Sequence, residues 1–200
     1  IKMEGGFMAK IITISRQYAS GGSEIGRRVA KLLDIPYYDR EIIDATAKES
    51  GFDPAYIERA EQSSTNSFLY NLAINGMYSQ PLTDQLFAAE CRVIKALAEK
   101  GPCVIVGRCA DYVLKDGFET FNVFVHATDK FRCERICEHD KLTEDEALSV
   151  IRQKDKARRR HYKYYTERVW GDSVNYDLCI NTAVSGIDLA AEIIAKLAKN

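Results

Sequence analysis

Apolar positions along the chain change period several times, and each change marks an element. Ile11-Ile12-Thr13-Ile14 is a short apolar run of strand character, and beyond the small polar loop Ser20-Gly21-Gly22-Ser23 the residues Ile25, Val29, Leu32 and Leu33 recur at helical spacing. Residues 10–33 therefore read as strand, glycine loop, helix. Ile35-Pro36-Tyr37-Tyr38 predicts a short second strand with Pro36 tolerated at its start. It ends at Asp39-Arg40, and Glu41-Ile42-Ile43-Asp44-Ala45 begins a helix.

Residues 45–100 are almost wholly helical in pattern, with breaks near 51–54, 63–66 and 76–81, and Phe68, Leu72, Leu86, Val93, Ile94 and Leu97 offer a packing face. Pro102-Cys103-Val104-Ile105-Val106 is a continuous apolar run, as expected of a strand covered on both faces of a parallel sheet. Residues 121–126 predict a fourth strand, with Ala127-Thr128-Asp129 opening a helix that carries Arg132 and Arg135. Thr143 and Glu146 have capping-box spacing at the start of a long helix, residues 175–182 predict a fifth strand, and a last helix runs from about 187 to 198. Strands alternating with helices imply a parallel sheet with right-handed crossovers.

Two hundred residues suit one α/β domain with room for an inserted helical part. A net charge of -1 argues against a general nucleic-acid coat, so partners must be sought in local patches. No apolar run approaches a membrane span. The six cysteines are scattered, without a signal-peptide pattern, and point to a reducing, cytoplasmic compartment. Cys133, Cys137 and His139 could share a helix face, but no second ligand cluster accompanies them. Residues 1–7 read as an extension ahead of Met8, outside the fold.

The glycine loop is the first candidate for chemistry. Adjacent Gly21 and Gly22 let backbone N–H groups approach an anion, and the helix that follows adds its unpaired first-turn donors. Against the phosphate-loop signature G-x-x-x-x-G-K-[ST], Arg16 stands where the first glycine belongs and Gly22 where the lysine belongs, while Ser23 holds the Mg²⁺-ligating position. The competing reading is a plain strand-to-helix turn with Ser23 as helix N-cap. Asp39 and Arg40 end the second strand, where open α/β sheets bind ligands, although Asp39 could equally cap the next helix. Gly107-Arg108 ends the third strand, where a guanidinium suits bidentate capture of phosphate or a structural ion pair. His126 at a strand end reads as a hydrogen-bonded structural residue.

Between Arg152 and Lys163 lie Arg152, Lys154, Lys156, Arg158, Arg159, Arg160 and Lys163, opposed only by Asp155 and followed by Tyr162, Tyr164, Tyr165 and Trp170. A solvated helix face, a nucleic-acid surface and an arginine-bearing lid all fit this run.

The succession ISRQYASGGSEIGRRVA, IPYYDREII, VIVGRCADYVL, DKARRRHYKYYT and NYDLCINT resembles the cytidylate kinase-like family, a branch of the P-loop nucleoside monophosphate kinases, over residues 10–198. The resemblance implies a three-layer P-loop kinase fold over residues 8–200, a five-stranded parallel sheet flanked by helices. It also implies a helical acceptor-binding insertion at 40–100 and a helical lid at 143–172. It implies ATP and Mg²⁺ as cofactors and small nucleotide substrates, with no membrane partner. Ser20, Gly21, Gly22 and Ser23, with Arg16 and Glu24 beside them, would hold the donor's phosphates. Ser23 and Asp39 would hold Mg²⁺; Arg40, Arg108 and Asp111 would bind the acceptor; Asp155, Arg158 and Arg159 would serve the lid.

Two departures accompany the resemblance. The loop lysine is absent, with Arg16, Arg27 or a lid arginine as the available replacements, and no acidic residue ends the third strand, where Val106 precedes Gly107. The leading expectation is ATP-dependent phosphoryl transfer to a nucleoside monophosphate, CMP or dCMP above others. The missing lysine motivates an alternative, a nucleotide-binding regulator of kinase fold without transfer.

Overall fold

The computed structural model describes residues 11–39, 41–51, 53 and 82–199. Five parallel strands form one sheet in the order β2-β3-β1-β4-β5: β1 (Ile11–Arg16), β2 (Tyr37–Tyr38), β3 (Val104–Val106), β4 (Thr120–His126) and β5 (Leu178–Asn181). Among the described residues seven helices surround it: α1 (Gly22–Leu33), α2 (Glu41–Ser50), α3 (Leu82–Ala98), α4 (Ala110–Val113), α5 (Asp129–Asp140), α6 (Glu144–Thr166) and α7 (Thr182–Leu197).

The sheet is buried on both faces, and alternation along β1 shows how. Ile12 and Ile14 point with Val104, Val106, Val123 and Val125 toward α1 and α7, where Ile25, Val29, Ala190 and Ile194 complete one apolar layer. Ile11 and Ile105 point the other way, against Ile42 of α2 and Val93 and Ile94 of α3. A strand covered on both sides has no reason to alternate with polar residues, which is why β3 reads as an unbroken apolar run. In β1 the alternate positions Thr13 and Ser15 are polar but buried, and the Thr13 hydroxyl donates to Asn122 Oδ1 at 2.7 Å. The result is the three-layer helix–sheet–helix arrangement expected from the chain.

Boundaries differ from the sequence reading where local hydrogen bonding intervenes. β5 starts only at Leu178, because Asp172 accepts a hydrogen bond from the Val174 N–H (3.3 Å) and winds residues 173–175 into a 3₁₀ turn. α7 begins at Thr182 and not near 187, since Asn181 accepts from the Ala183 N–H, but Gly186, at φ 70, breaks the helix before its long part. The capping box at Thr143 and Glu146 forms as its spacing predicts. Arg40, the sequence breaks at 63–66 and 76–81, Phe68, Leu72 and the N-terminal extension lie outside the described residues.

Because every strand runs in the same direction, the carboxyl ends of β1, β2 and β3 open on one edge of the sheet. That edge presents Arg16, Asp39 and Gly107-Arg108 together, and the second half of α6 crosses above it.

Candidate active site

A cleft of about 320 Å³ lies at this edge, lined among others by Arg16, Asp39, Arg108, Lys154, Arg158 and His161. β1 contributes Arg16, β2 leads into Asp39, β3 into Arg108, and α6 brings the remaining three across at i, i+4 and i+7 spacing, which is one face of a helix.

Charge organises the cleft. The Arg16 guanidinium faces Asp39, Nη2 to Oδ1, at 3.5 Å. The other Asp39 oxygen accepts from the Tyr37 hydroxyl at 2.9 Å. Burial, and next the Asp39 charge, push the Tyr37 phenol up to about 12, so it remains a donor. The same hydroxyl lies 3.2 Å from the Ser23 carbonyl, tying β2 to the first turn of α1. Arg158 donates through Nη1 to the Arg16 carbonyl at 2.8 Å. Burial, followed by the charge of Arg16, lowers Arg158 to about 9, which still leaves it a cation at neutral pH. Burial lowers Arg16 as well, with Asp39 pulling the other way.

Arg108 is anchored from below. Its Nη1 meets Glu90 Oε1 of α3 at 2.6 Å, and the side chains are only 10% and 2% exposed. Gly107, Arg108 and Cys109 have φ values of 80, 54 and 53, three successive left-handed residues that turn the chain sharply off β3. Two of them are not glycine, and such strain persists where surrounding structure over-determines it, often at functional sites. His161 is held neutral, its pKa lowered to about 4 by burial and then by the Arg108 charge. Its ring meets Phe87 and Tyr165 edge to face, with centroids 5.9 and 4.8 Å away.

At the glycine loop, Gly21 is the N-cap of α1 in the left-handed conformation, so Ser23 is a helical residue and not the cap. No side chain from the cap reaches the first turn. Ser20 is fully buried, and its hydroxyl lies 2.9 Å from the Gln17 carbonyl and 3.1 Å from the Val125 carbonyl with one proton to share between them, so it shapes the loop from within.

The structure therefore brings Arg16, Asp39, Arg108 and Arg158 to one cleft. Several other candidates are engaged elsewhere. Glu24 pairs with Arg28 at 2.8 Å and Arg135 at 3.1 Å. Asp111 is buried and accepts from the Tyr162 hydroxyl at 2.6 Å. Asp155 is buried against Arg132 at 2.5 Å and accepts from the Tyr18 N–H at 2.8 Å, clasping α5, α6 and the loop after β1. Arg159 is exposed on α6, and Arg40 lies outside the described residues. Glu90 and His161 were not singled out from the sequence, and Lys154 was named only as one member of the basic run. Glu90 alone had a visible signal, an acid set among Leu86, Ala89, Val93 and Ile94 on the buried stripe of α3.

Asp39 brings to the cleft a carboxylate, a hard oxygen of the kind Mg²⁺ takes, and the Tyr37 hydroxyl links it to the Ser23 backbone carbonyl. Ser20, Gly21, Gly22 and Ser23 are not among the residues that line the cleft. Among the described residues no group of three or more His, Cys, Asp or Glu could hold a metal. Mg²⁺ bound by one or two protein oxygens beside substrate phosphates needs no such group.

The fold and the sequence are similar to those of known proteins. Shikimate kinase from Bacteroides thetaiotaomicron superposes with a TM-score of 0.57 at 13% identity, covering 96% of this chain and 99% of that one. A gluconokinase from Sinorhizobium meliloti gives 0.54 at 14% identity, covering 96% and 95%. The molecule is a three-layer α/β protein of the P-loop kinase fold. The chain belongs to the cytidylate kinase-like family, whose model matches residues 11–184. A cytidylate kinase of Pyrobaculum islandicum is 24% identical over 184 residues, 92% of this chain and 89% of the relative. An uncharacterized protein from Eubacterium ventriosum has a TM-score of 0.74 at 27% identity, covering 96% and 99%. Family membership, with these kinase-fold neighbours, supports a kinase acting on nucleotides or other small molecules.

Proposed function

We propose that this protein transfers the γ-phosphoryl group of ATP to a nucleoside monophosphate, with CMP or dCMP as favoured acceptors. The observation that carries the reading is the meeting of Arg16, Arg108 and Arg158, from three distant parts of the chain, in one cleft beside Asp39. The cytidylate kinase relatives supply the acceptor class.

In this reaction the bond from the γ-phosphorus to the bridging oxygen breaks, and a new one forms to an acceptor phosphate oxygen. ADP and a nucleoside diphosphate leave. The transition state is loose, so catalysis rests on alignment and on charge around the moving group. Amides of the first turn of α1 hold the donor, Arg108 aligns the acceptor phosphate with Glu90 fixing its guanidinium, and Arg158 faces the transferring group from α6. Ser23 and Asp39 would hold Mg²⁺, which supplies charge neutralisation between the donor phosphates.

A coupled assay of ADP release over CMP, dCMP, UMP and AMP tests the reading. Release that depends on acceptor and is fastest with CMP or dCMP is expected. Absence of acceptor-dependent release across the panel contradicts it.

A further inference from the structure

The loop departs from the phosphate-loop signature twice, at Arg16 and at Gly22. In three dimensions the two departures are one feature. A Cβ placed on Gly22 would lie 2.5 Å from the Arg16 Cβ and 2.7 Å from its Cγ. The aliphatic stem of Arg16 thus fills the space in which a side chain at position 22 would start. Beyond the stem, a Cβ on Gly107 would collide with the Arg16 Nη1. Bare backbone at 22 and at 107 opens a channel along which one arginine reaches the cleft.

The tip of that arginine is incompletely paired. Asp39 is 3.5 Å from Nη2, a long contact, and Nε is buried without a hydrogen-bond partner among the described residues. A buried donor left unpaired is costly, and an oxyanion in the cleft would relieve it. The other replacements considered for the lysine are less well placed. Arg27 is exposed, its guanidinium 5.4 Å from the centre of the Tyr37 ring, and Arg158 is already bound to the Arg16 carbonyl.

We infer that Arg16 is the cation of the phosphate loop: rooted where the signature has its first glycine, it delivers to the donor's β- and γ-phosphates the charge a lysine would bring from position 22, and Gly22 is the room it requires. This rests on the kinase reading above. An arginine there also presents a planar fork where a lysine presents a point charge, which suits two phosphate oxygens at once.

The test is a swap. Arg16→Gly should lower kcat about 10²–10³-fold, the cost of removing one such donor. Gly22→Lys alone drives a side chain into the Arg16 stem and should cost about 10²-fold through misplacement. The double variant Arg16→Gly/Gly22→Lys rebuilds the full signature over positions 16–23 and should recover most of both losses. Arg16→Lys should retain more activity than Arg16→Gln. Calorimetry with Mg-ATP on the same proteins gives a readout independent of turnover: weaker binding in Arg16→Gly, regained in the double variant. Additive losses in the double variant, or an Arg16→Gln variant matching wild type in both kcat and ATP affinity, overturn the inference while leaving the kinase reading intact. A wild-type protein that binds ATP but transfers to no acceptor overturns the kinase reading, and the binding series then still decides the role of Arg16.

Discussion

His161 shows what position does to a single side chain. Its imidazole lines the cleft between Arg108 and an aromatic pair, and burial followed by that cation lowers its pKa to about 4. In the unfolded chain it titrates near its ordinary value of about 6.5. Between these values unfolding takes up a proton, so acid favours the unfolded state. Stability should fall as pH drops from 6.5 toward 4, with this one group contributing about 2 kcal/mol of loss by pH 5. Denaturant titrations at pH 7 and pH 5 check it: His161→Gln should lose about 2 kcal/mol less than wild type across that interval. Equal losses would show that His161 gains its proton freely in the folded protein. At this scale the sequence was informative where residues sit at strand ends. Asp39 and Arg108 could be picked out because strands end beside them, and Arg16 because it stands where the phosphate-loop signature has its first glycine. His161 could not, because nothing in a basic run says which of its members turn inward.

α6 resolves that ambiguity for the element as a whole. The charge run from Arg152 to Lys163 reads as a single block, but helical periodicity divides it into two faces. Lys154, Arg158 and His161 line the cleft, whereas Arg152, Lys156, Arg159 and Lys163 are exposed. Asp155 belongs to neither face. It lies against α5, paired with Arg132, with 3% and 5% of the two side chains exposed. Family resemblance made it a lid residue, and in the structure its carboxylate is committed to joining elements. Breaking a buried pair strands its partner's charge at about 3–5 kcal/mol. Asp155→Ala should sit toward the lower end, about 3 kcal/mol, because Asp129 also holds Arg132. Chemical denaturation measures this, and a loss under about 1 kcal/mol would mean that the clasp between α5 and α6 contributes little. The start of α5 was legible from Ala127-Thr128-Asp129 and the cap of α6 from the Thr143–Glu146 spacing, since a cap is a local hydrogen bond. The Arg132–Asp155 pair was not, since it joins two helices by a contact that no spacing along one helix encodes.

For the whole molecule, alternation of strand and helix was enough to predict a parallel sheet, and right-handed crossovers then put helices on both faces. Parallel direction has a functional consequence. It gathers the carboxyl ends of β1, β2 and β3 on one edge, so residues separated by most of the chain share one cleft. Strand order and the approach of the Arg16 stem to Gly22 lay beyond sequence reading, because both are set by packing between segments far apart in the chain. The loop shows this most plainly: two mismatches to a motif, read along the chain, are a complementary pair in space.

The central claim is that this cleft moves a phosphoryl group from ATP to a nucleoside monophosphate. Phosphorus NMR of the protein with Mg-ATP and CMP measures it directly, because it separates transfer to the acceptor from hydrolysis. The account predicts new α- and β-phosphorus signals of CDP growing in step with those of ADP. ADP appearing with inorganic phosphate and unchanged CMP, or ATP left intact, would contradict it.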